Sequence, residues 1–115
     1  MDCIFCEIVK KNIESNILYE DEDVLAFKDV NPAAPVHFLV IPKKHIESLY
    51  ELNEQDFNLI AKVFEVIKKL AKDLDLKDGL RVINNCKKDG GQTVGHIHFH
   101  VLAKRQLNWP PGWFC

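Results

Sequence analysis

The sequence predicts an α+β fold in which a mainly antiparallel five-stranded sheet packs with one long helix and a short N-terminal helix. Two observations support this prediction: short runs of strand-forming residues are joined by short turns, and one segment has the apolar spacing of a long helix. The length of 115 residues, with 47% hydrophobic and 28% charged residues, suits one domain, residues 1–115, with its own core.

The first part of the chain predicts a short helix followed by three strands. Residues 3–11 fit one or two helical turns, and two short strands, Ile17–Glu20 and Val24–Lys28, flank the acidic turn DED. The prolines of NPAAP (31–35) exclude regular structure there. The next segment, VHFLVIP (36–42), is a strongly apolar strand that ends at its proline.

One long amphipathic helix is predicted from about residue 53 to residue 75. Its apolar residues follow the spacing of a stripe that faces a core. The stripe consists of Phe57, Ile60, Ala61, Phe64, Ile67, Leu70, Ala71 and Leu74. Asn53 can cap the start of the helix, acidic residues suit its first turn, and Gly79 marks its exit.

The remaining segments predict a fourth strand, a loop, a fifth strand and an irregular tail. The fourth strand is LRVINN (80–85), and the loop is CKKDGGQT (86–93), whose glycine pair permits unusual backbone angles. The fifth strand is GHIHFHVLA (95–103), because its polar and apolar residues alternate with the period of a strand. The tail QLNWPPGWFC (106–115) cannot be regular, since it contains two adjacent prolines.

Three of the five histidines of the chain lie at alternate positions of the predicted fifth strand. His96, His98 and His100 would therefore share one face. The apolar residues between and after them, which can seal a core, would share the other face: Ile97, Phe99 and Val101. Because a purely structural role would need separate partners for each ring, the row indicates metal ligation, acid–base chemistry or nucleophilic attack.

The loop that leads into the histidines favours a phosphate ligand. A turn with Gly91 at its centre can expose backbone N–H groups that bind an anion, and Gln92 and Thr93 add neutral donors. An imidazole is largely neutral near pH 7, so it can attack phosphorus and split one displacement into two steps. Neighbouring imidazoles can stabilise charge on the phosphoryl oxygens.

Composition argues against several classes of partner. The net charge is −2 with neutral histidines and no basic block is present, so binding to nucleic acid is not indicated. No apolar run approaches the roughly 20 residues of a membrane-spanning helix. The charged start MDCIFCEIVKK does not fit a secretory signal. We therefore expect a cytoplasmic protein with reduced cysteines and no membrane partner.

The pair CIFC near the N-terminus has three possible interpretations. The first interpretation is a redox pair, the second is two ordinary buried cysteines, and the third is half of a zinc site. The zinc interpretation requires two further ligands, for which His45 and His96 are the candidates. Cys86 and Cys115 have no evident partner in the sequence and are interpreted as free thiols.

Several blocks of the chain, in order, resemble one known family. GHIHFHVLA fits a pattern in which three histidines alternate with apolar residues. The blocks CIFCEIV, LAFKDVNPAAPVHFLVIPKKHI, NNCKKDGGQTVGHIHFHVL and RQLNWPPGW extend the similarity over almost the whole chain. The sequence thus resembles the Hint branch of the histidine triad (HIT) family, whose fold matches the one predicted above.

This resemblance implies a nucleotide-binding hydrolase or nucleotidyl transferase. Such a protein binds purine nucleoside monophosphates, and it cleaves the P–N bond at the α-phosphorus of purine nucleoside phosphoramidates through a covalent nucleotidyl-histidine intermediate. It implies that His98 is the nucleophile, that His100 contacts the phosphate, and that His96 and His37 support the site. A dinucleoside polyphosphate hydrolase and a non-catalytic nucleotide-binding interaction protein remain alternatives.

The resemblance also implies a set of ligand-binding residues. Asp29 would accept hydrogen bonds from the ribose hydroxyls. Asn85 and Thr93 would hold phosphate oxygens beside the turn at Gly91, and Gln92 would lie near the leaving group. The residues that would line the base pocket are Ile4, Phe5, Ile8, Phe27 and Val30.

A structural zinc ion and a homodimer follow from the same resemblance. In similar bacterial proteins the equivalents of Cys3, Cys6, His45 and His96 bind zinc, so these four residues are the expected ligands here. Four protein ligands would leave no position for water, which makes the metal structural, and no organic cofactor is expected. The expected dimer would pair the long helix and a strand edge across a two-fold axis.

Overall fold

The computed structural model describes residues 3–112, which form three helices and one sheet. The helices are α1 (Ile4–Val9), α2 (Phe57–Asp73) and the single turn α3 (Lys87–Gly90). The strands are β1 (Ile17–Glu20), β2 (Val24–Lys28), β3 (Val36–Pro42), β4 (Leu80–Ile83) and β5 (Phe99–Ala103). Two short 3-10 turns, Leu49–Glu51 and Glu54–Asp56, lie between β3 and α2.

The five strands form one antiparallel sheet in the order β1-β2-β3-β5-β4. The first three strands are consecutive neighbours, and the crossover through α2 brings β4 to the far edge. The last strand, β5, then enters between β3 and β4, where His100 is paired with Leu39 on one side and Ile83 on the other. The predicted fold class is confirmed.

The two faces of the sheet are covered by different helices. On the first face, α2 packs over a core to which the strands contribute Val24, Ala26, Phe38, Val40, Phe99 and Val101. On the second face, α1 packs over Leu25, Phe27, Leu39 and Ile41. The apolar residues of the histidine segment, including Ile97, belong to the first face, as predicted. The second face is left for the histidines.

The buried stripe of α2 differs from the predicted one. Ile67 and Leu70 are buried as expected, but Val63 and Val66 are buried as well. Phe57 and Phe64 are instead 57% and 48% exposed, Ala61 is exposed and Ala71 is half-buried. Two neighbouring stripes of this helix are apolar, and both satisfy the spacing of a buried face. The side that meets the sheet is decided by tertiary packing.

Four further boundaries differ from prediction. The long helix predicted over about 53–75 is α2 only over Phe57–Asp73, and Asn53 instead caps the 3-10 turn Glu54–Asp56. The predicted loop 86–93 contains the one-turn α3, which ends at Gly91 with a left-handed φ of 73°. The predicted fourth strand stops at Ile83, before the two asparagines. The predicted fifth strand begins only at Phe99, so His96 and His98 precede the ladder.

The predicted irregular tail is confirmed for residues 106–112. Its last three residues, and with them the predicted free thiol of Cys115, lie outside the described residues. Cys3, Cys6 and Cys86 carry free thiols. Within residues 3–112, no helix is both long enough and apolar enough to cross a membrane.

Candidate active site and metal site

The structure gathers the five histidines into two groups. In the first group the ring centroids of His37 and His100 are 5.2 Å apart, and those of His100 and His98 are 5.1 Å apart. In the second group the rings of His45 and His96 are 5.0 Å apart. The sequence predicted a shared face for three of these rings, and the fold brings the other two to it from β3 and from the loop that follows β3.

The ring of His98 is fixed by a main-chain oxygen. Its Nδ1 lies 2.7 Å from the carbonyl oxygen of His96. Because a carbonyl oxygen only accepts, Nδ1 carries a proton, and in the neutral ring the lone pair lies on Nε2. The ring is buried, and it packs against the ring of Phe5 in a T-shaped arrangement with centroids 5.1 Å apart. The nitrogen available for attack on a ligand is therefore Nε2.

A second network fixes the tautomers of His37 and His100. The backbone N–H of Ala33 donates to Nδ1 of His37 at 3.0 Å, so the proton of this ring is on Nε2. That Nε2 lies 3.0 Å from Nδ1 of His100 and 3.3 Å from Oδ2 of Asp29. His100 accepts at Nδ1 and consequently carries its own proton on Nε2, where it can be donated to a bound anion.

Asp29 lies at the margin of the histidine group. Its Oδ1 accepts the backbone N–H of Asn31 at 2.8 Å, which closes a local turn. Its Oδ2 faces His37, and 17% of the side chain remains accessible. A carboxylate can accept several hydrogen bonds, so Asp29 can still bind hydroxyl groups of a ligand while it holds the loop and the ring.

Burial keeps the two rings of this network neutral at pH 7. Burial, together with His98 and His37, lowers the pKa of His100 to about 4, against the opposing effect of Asp29. Burial also lowers the pKa of His37, again opposed by Asp29. The neutral state is the one in which each ring both accepts and donates one hydrogen bond.

We expect acid to destabilise the fold partly through His100. The pKa of His100 is about 4 in the folded state and about 6.5 in an unfolded chain, so between these pH values the unfolded chain binds more protons. The free energy of unfolding should therefore fall from pH 6.5 to pH 4, by at most about 3 kcal/mol for this ring. Urea denaturation of the wild type and of His100→Asn across this range measures the effect. The variant should show the shallower pH dependence, and equal slopes would contradict the prediction.

The residues predicted to line a base pocket divide into a buried and an exposed set. Phe5, Ile8 and Phe27 are buried and belong to one apolar cluster under α1. The rings of Phe5 and Phe27 meet edge to face, with centroids 5.5 Å apart. Ile4 and Val30 are 48% and 87% exposed. The buried set forms an apolar floor beside His98, and the exposed pair remains accessible to a ligand.

The Gln92 side chain holds the predicted anion loop in place. Its Nε2 donates to the carbonyl oxygens of Glu47 at 2.8 Å and Val94 at 2.9 Å. Its Oε1 accepts the backbone N–H of Lys87 at 2.8 Å. The amide therefore connects the start of α3 to the segment that leads into the histidines. To contact a leaving group, as the resemblance implies, Gln92 would have to exchange one of these bonds.

The other predicted phosphate donors surround the same loop. Gly91 and Thr93 are exposed and Asn85 is half-buried. The left-handed backbone at Gly91 turns the chain from α3 back towards the histidine segment. Asn84, which the sequence interpretation did not single out, donates from Nδ2 to the carbonyl oxygen of His98 at 3.0 Å. In the sequence, Asn84 is distinguished only as a second asparagine, beside Asn85, at the end of a predicted strand.

The four predicted metal ligands converge. One ligand atom from each of Cys3, Cys6, His45 and His96 lies within 4.8 Å of all the others. Nδ1 of His96 is 3.4 Å from Sγ of Cys3 and 3.6 Å from Sγ of Cys6, and Nδ1 of His45 is 3.3 Å from Sγ of Cys6. Tetrahedral zinc separates a sulfur and a nitrogen ligand by about 3.5 Å. The spacing therefore fits a zinc ion.

The surroundings of His96 also suit metal binding. Its Nε2 lies 2.8 Å from the carbonyl oxygen of Pro42, so the proton is on Nε2 and Nδ1 presents its lone pair to the two sulfurs. Sγ of Cys3 accepts the backbone N–H of Cys6 at 3.3 Å, as a thiolate ligand would. Main-chain groups thus orient both His96 and Cys3 for metal binding.

A second cluster of potential ligands, Asp29, His37 and His100, does not fit a metal. Their ligand atoms also lie within 4.8 Å of one another. However, the N–H of Ala33 occupies Nδ1 of His37 and leaves the proton on Nε2, which is the atom that faces the cluster. A protonated nitrogen has no lone pair for a metal. This cluster is therefore a hydrogen-bond network.

The comparisons with known proteins agree with this geometry. The family description that matches the sequence is the HIT domain, over residues 10–107. A 14 kDa zinc-binding protein from Zea mays is 47% identical over 111 residues, which covers 95% of this chain and 87% of that protein. A solved HIT family hydrolase from Legionella pneumophila Philadelphia 1 has a TM-score of 0.94 at 44% identity, covering 96% of this chain and 100% of that chain. A histidine triad nucleotide-binding protein from Candida albicans has a TM-score of 0.81 at 32% identity, covering 95% and 83%.

Proposed function

Because the chain belongs to the HIT domain family, we propose that it is a hydrolase of the Hint branch that cleaves purine nucleoside phosphoramidates. The bond cleaved is the P–N bond at the α-phosphorus. The observation that carries the proposal is the bond from Nδ1 of His98 to the carbonyl of His96, which places the lone pair of the neutral ring on Nε2. An apolar floor on one side and neutral donors on the other suit a nucleotide at this nitrogen.

The proposed reaction has two displacements at phosphorus. Nε2 of His98 attacks the α-phosphorus, an N–P bond forms, and the P–N bond to the leaving group breaks. The leaving nitrogen takes the electron pair and a proton from solvent and departs as an amine. Water then attacks the same phosphorus and returns one proton to solvent, the bond to His98 breaks, and the nucleoside monophosphate is released with recovery of the neutral ring. The net reaction consumes one water molecule.

Neighbouring groups would stabilise the charge that develops in each displacement. While Nε2 is bonded to phosphorus, the imidazole of His98 is cationic. The carbonyl oxygen of His96 accepts a hydrogen bond from its Nδ1–H and so stabilises this charge. Nε2–H of His100 is free to donate to a phosphoryl oxygen. Asn85, Thr93 and the backbone at Gly91 would add donors, and Gln92 would reach the leaving group after releasing a loop carbonyl.

The proposal includes a structural zinc ion bound by Cys3, Cys6, His45 and His96. When bound, the ion would cross-link the start of α1 to the segments on either side of the active site. Reduced thiols are needed for this ligand set, which supports a cytoplasmic location. The proposal treats residues 1–115 as one domain.

We also propose that the protein is a homodimer. The apolar stripe of α2 that does not face the sheet carries the exposed rings of Phe57 and Phe64, beside the exposed Ala61. The strand β4 is one of the two edges of the sheet, and its Leu80 is 36% exposed. A two-fold axis would bury both features against their copies.

Phe57→Lys combined with Phe64→Lys is expected to convert the dimer to a monomer. Each lysine would place a charge in the buried centre of the interface, where it has no partner. Light scattering after gel filtration should give a mass of two chains for the wild type and one for the variant. Ile13→Lys, at an exposed residue between α1 and β1, is the control and should remain dimeric. A wild type with the mass of a single chain would refute the dimer.

Incubation with two substrates tests the proposed activity. An adenosine phosphoramidate should release its amine, and rapidly quenched protein should carry a nucleotidyl group on the peptide that contains His98 in its mass spectrum. Preferential cleavage of a diadenosine polyphosphate would favour the dinucleoside polyphosphate hydrolase instead. Tight binding of adenosine monophosphate without turnover of either compound would favour a non-catalytic binding protein.

A further inference from the structure

The nucleophile of the proposed reaction lies where the sheet ladder has ended. The last pairing between β4 and β5 joins Ile83 to His100, and β5 itself begins at Phe99. The carbonyl oxygen of His98 therefore lies beyond the ladder, and β4 supplies no backbone N–H to it. A buried carbonyl without a partner is costly, so another donor is needed there.

Asn84 supplies this donor. It is the first residue after β4, and its Nδ2 donates to the carbonyl oxygen of His98 at 3.0 Å. The side chain thereby extends the ladder by one hydrogen bond. Asn84 itself is half-buried, which limits competition from water.

The bond from Asn84 completes the restraints on His98. On the other side of the residue, the backbone N–H of Ile97 donates to the carbonyl oxygen of Ile46 at 2.7 Å. The imidazole Nδ1 of His98 is bonded to the carbonyl oxygen of His96. The peptide that joins His96 to Ile97, the peptide that follows His98 and the ring of His98 are thus each held by a hydrogen bond. Without Asn84, the carbonyl oxygen of His98 loses its partner on the β4 side, and the peptide that follows His98 is held only where Phe99 pairs with Val40 of β3. This peptide can then tilt and carry the ring with it.

We propose that Asn84 is a positioning residue that fixes the backbone of His98 so that Nε2 points at the phosphorus. This inference rests on the proposed function. Loss of one such bond, or a shift of the nucleophile by about 1 Å, lowers a rate by about tenfold to a hundredfold. We therefore expect Asn84→Ala to lower kcat by about tenfold to a hundredfold. The affinity for adenosine monophosphate should change by less than about threefold.

Asn84→Asp distinguishes a hydrogen-bond donor from a space-filling role. The aspartate has the same shape, but when ionised it cannot donate and repels the carbonyl of His98. When protonated, it can donate from its O–H. The kcat of Asn84→Asp relative to that of the wild type should therefore rise as the pH falls from 8 to 5, whereas the ratio for Asn84→Ala should stay low throughout. A flat ratio for Asn84→Asp would contradict the donor role.

A readout that does not depend on turnover separates this inference from the proposed function. In NMR spectra with 15N-labelled histidine, the Nδ1 proton of His98 should exchange with water faster in Asn84→Ala than in the wild type. If the wild type does not cleave a phosphoramidate, the proposed function fails while this comparison still decides the role of Asn84. An Asn84→Ala variant with a kcat within about twofold of the wild type, or with unchanged proton exchange, would overturn the inference.

Discussion

Replacement of His98 by alanine is expected to abolish phosphoramidate turnover while leaving the affinity for adenosine monophosphate mostly intact. The covalent step requires the lone pair on Nε2 of His98. No other described histidine presents an unprotonated nitrogen at the same place. Nδ1 of His96 faces the sulfur cluster, and Nε2 of His37 and Nδ1 of His100 are hydrogen-bonded to each other. The rate should fall at least a thousandfold, about the loss seen when a covalent nucleophile is removed. In the proposed site the base, ribose and most phosphate contacts come from other residues, so the binding site should persist.

Amine release measured in a single turnover, together with calorimetric binding of adenosine monophosphate, tests this expectation. The variant should also lose the nucleotidyl adduct in the mass spectrum. Unchanged zinc content and melting temperature are the control for folding, because the neighbouring His96 lies in the metal cluster. A near-normal rate in the His98→Ala variant would exclude this residue as the nucleophile.

The double variant Cys3→Ala and Cys6→Ala is expected to lose its bound zinc and a large part of its stability. The helix α1 has only six residues, too few to be stable on its own, and the second core depends on Phe5 and Ile8 in this helix. Structural zinc contributes about 10–16 kcal/mol in zinc-finger peptides that are unfolded without metal. Because the sheet also holds this domain together, only part of that free energy is expected here. That part should still lower the melting temperature by more than about 10 °C, since about 1 kcal/mol corresponds to about 4 °C at this size.

Elemental analysis and scanning calorimetry measure these two effects. The matched control is Cys86→Ala, which removes a thiol outside the cluster and should keep one zinc per chain. One equivalent is expected, because hydrogen bonds already use the nitrogen lone pairs of His37 and His100, which a second ion beside Asp29 would need. The zinc assignment fails if the purified wild type holds no stoichiometric metal.

The sequence predicted the features that depend on local periodicity. Strands β1, β2 and β3 have the predicted limits, and Ile97, Phe99 and Val101 lie on the face opposite the histidines. The period of two decides this face, because adjacent strand residues must point in opposite directions. The convergence of CIFC with His45 and His96 was also predicted, although through a family resemblance and not from spacing alone.

Features that depend on tertiary contacts were not accessible from local pattern. Both Val63 and Phe64 fit an apolar stripe of α2, and only the position of the sheet decides that Val63 is buried. The hydrogen bond from Asn84 joins residues 14 apart in the chain and exists because β4 stops one residue earlier. The tautomers of His96 and His100 were inaccessible for the same reason, since they are set by Pro42 and His37, which are 54 and 63 residues away in the chain.

The partners that set these tautomers have a consequence for how the protein tolerates mutation. Three of the rings are oriented by main-chain atoms: the oxygens of Pro42 and His96, and the nitrogen of Ala33. No codon change at position 96 or 42 can delete a carbonyl group, and only proline at position 33 would delete an N–H. The proton pattern of the site is thus inherited with the path of the backbone. A saturation library at positions 33 and 42 should find it insensitive to most exchanges, whereas position 96 also supplies one of the rings.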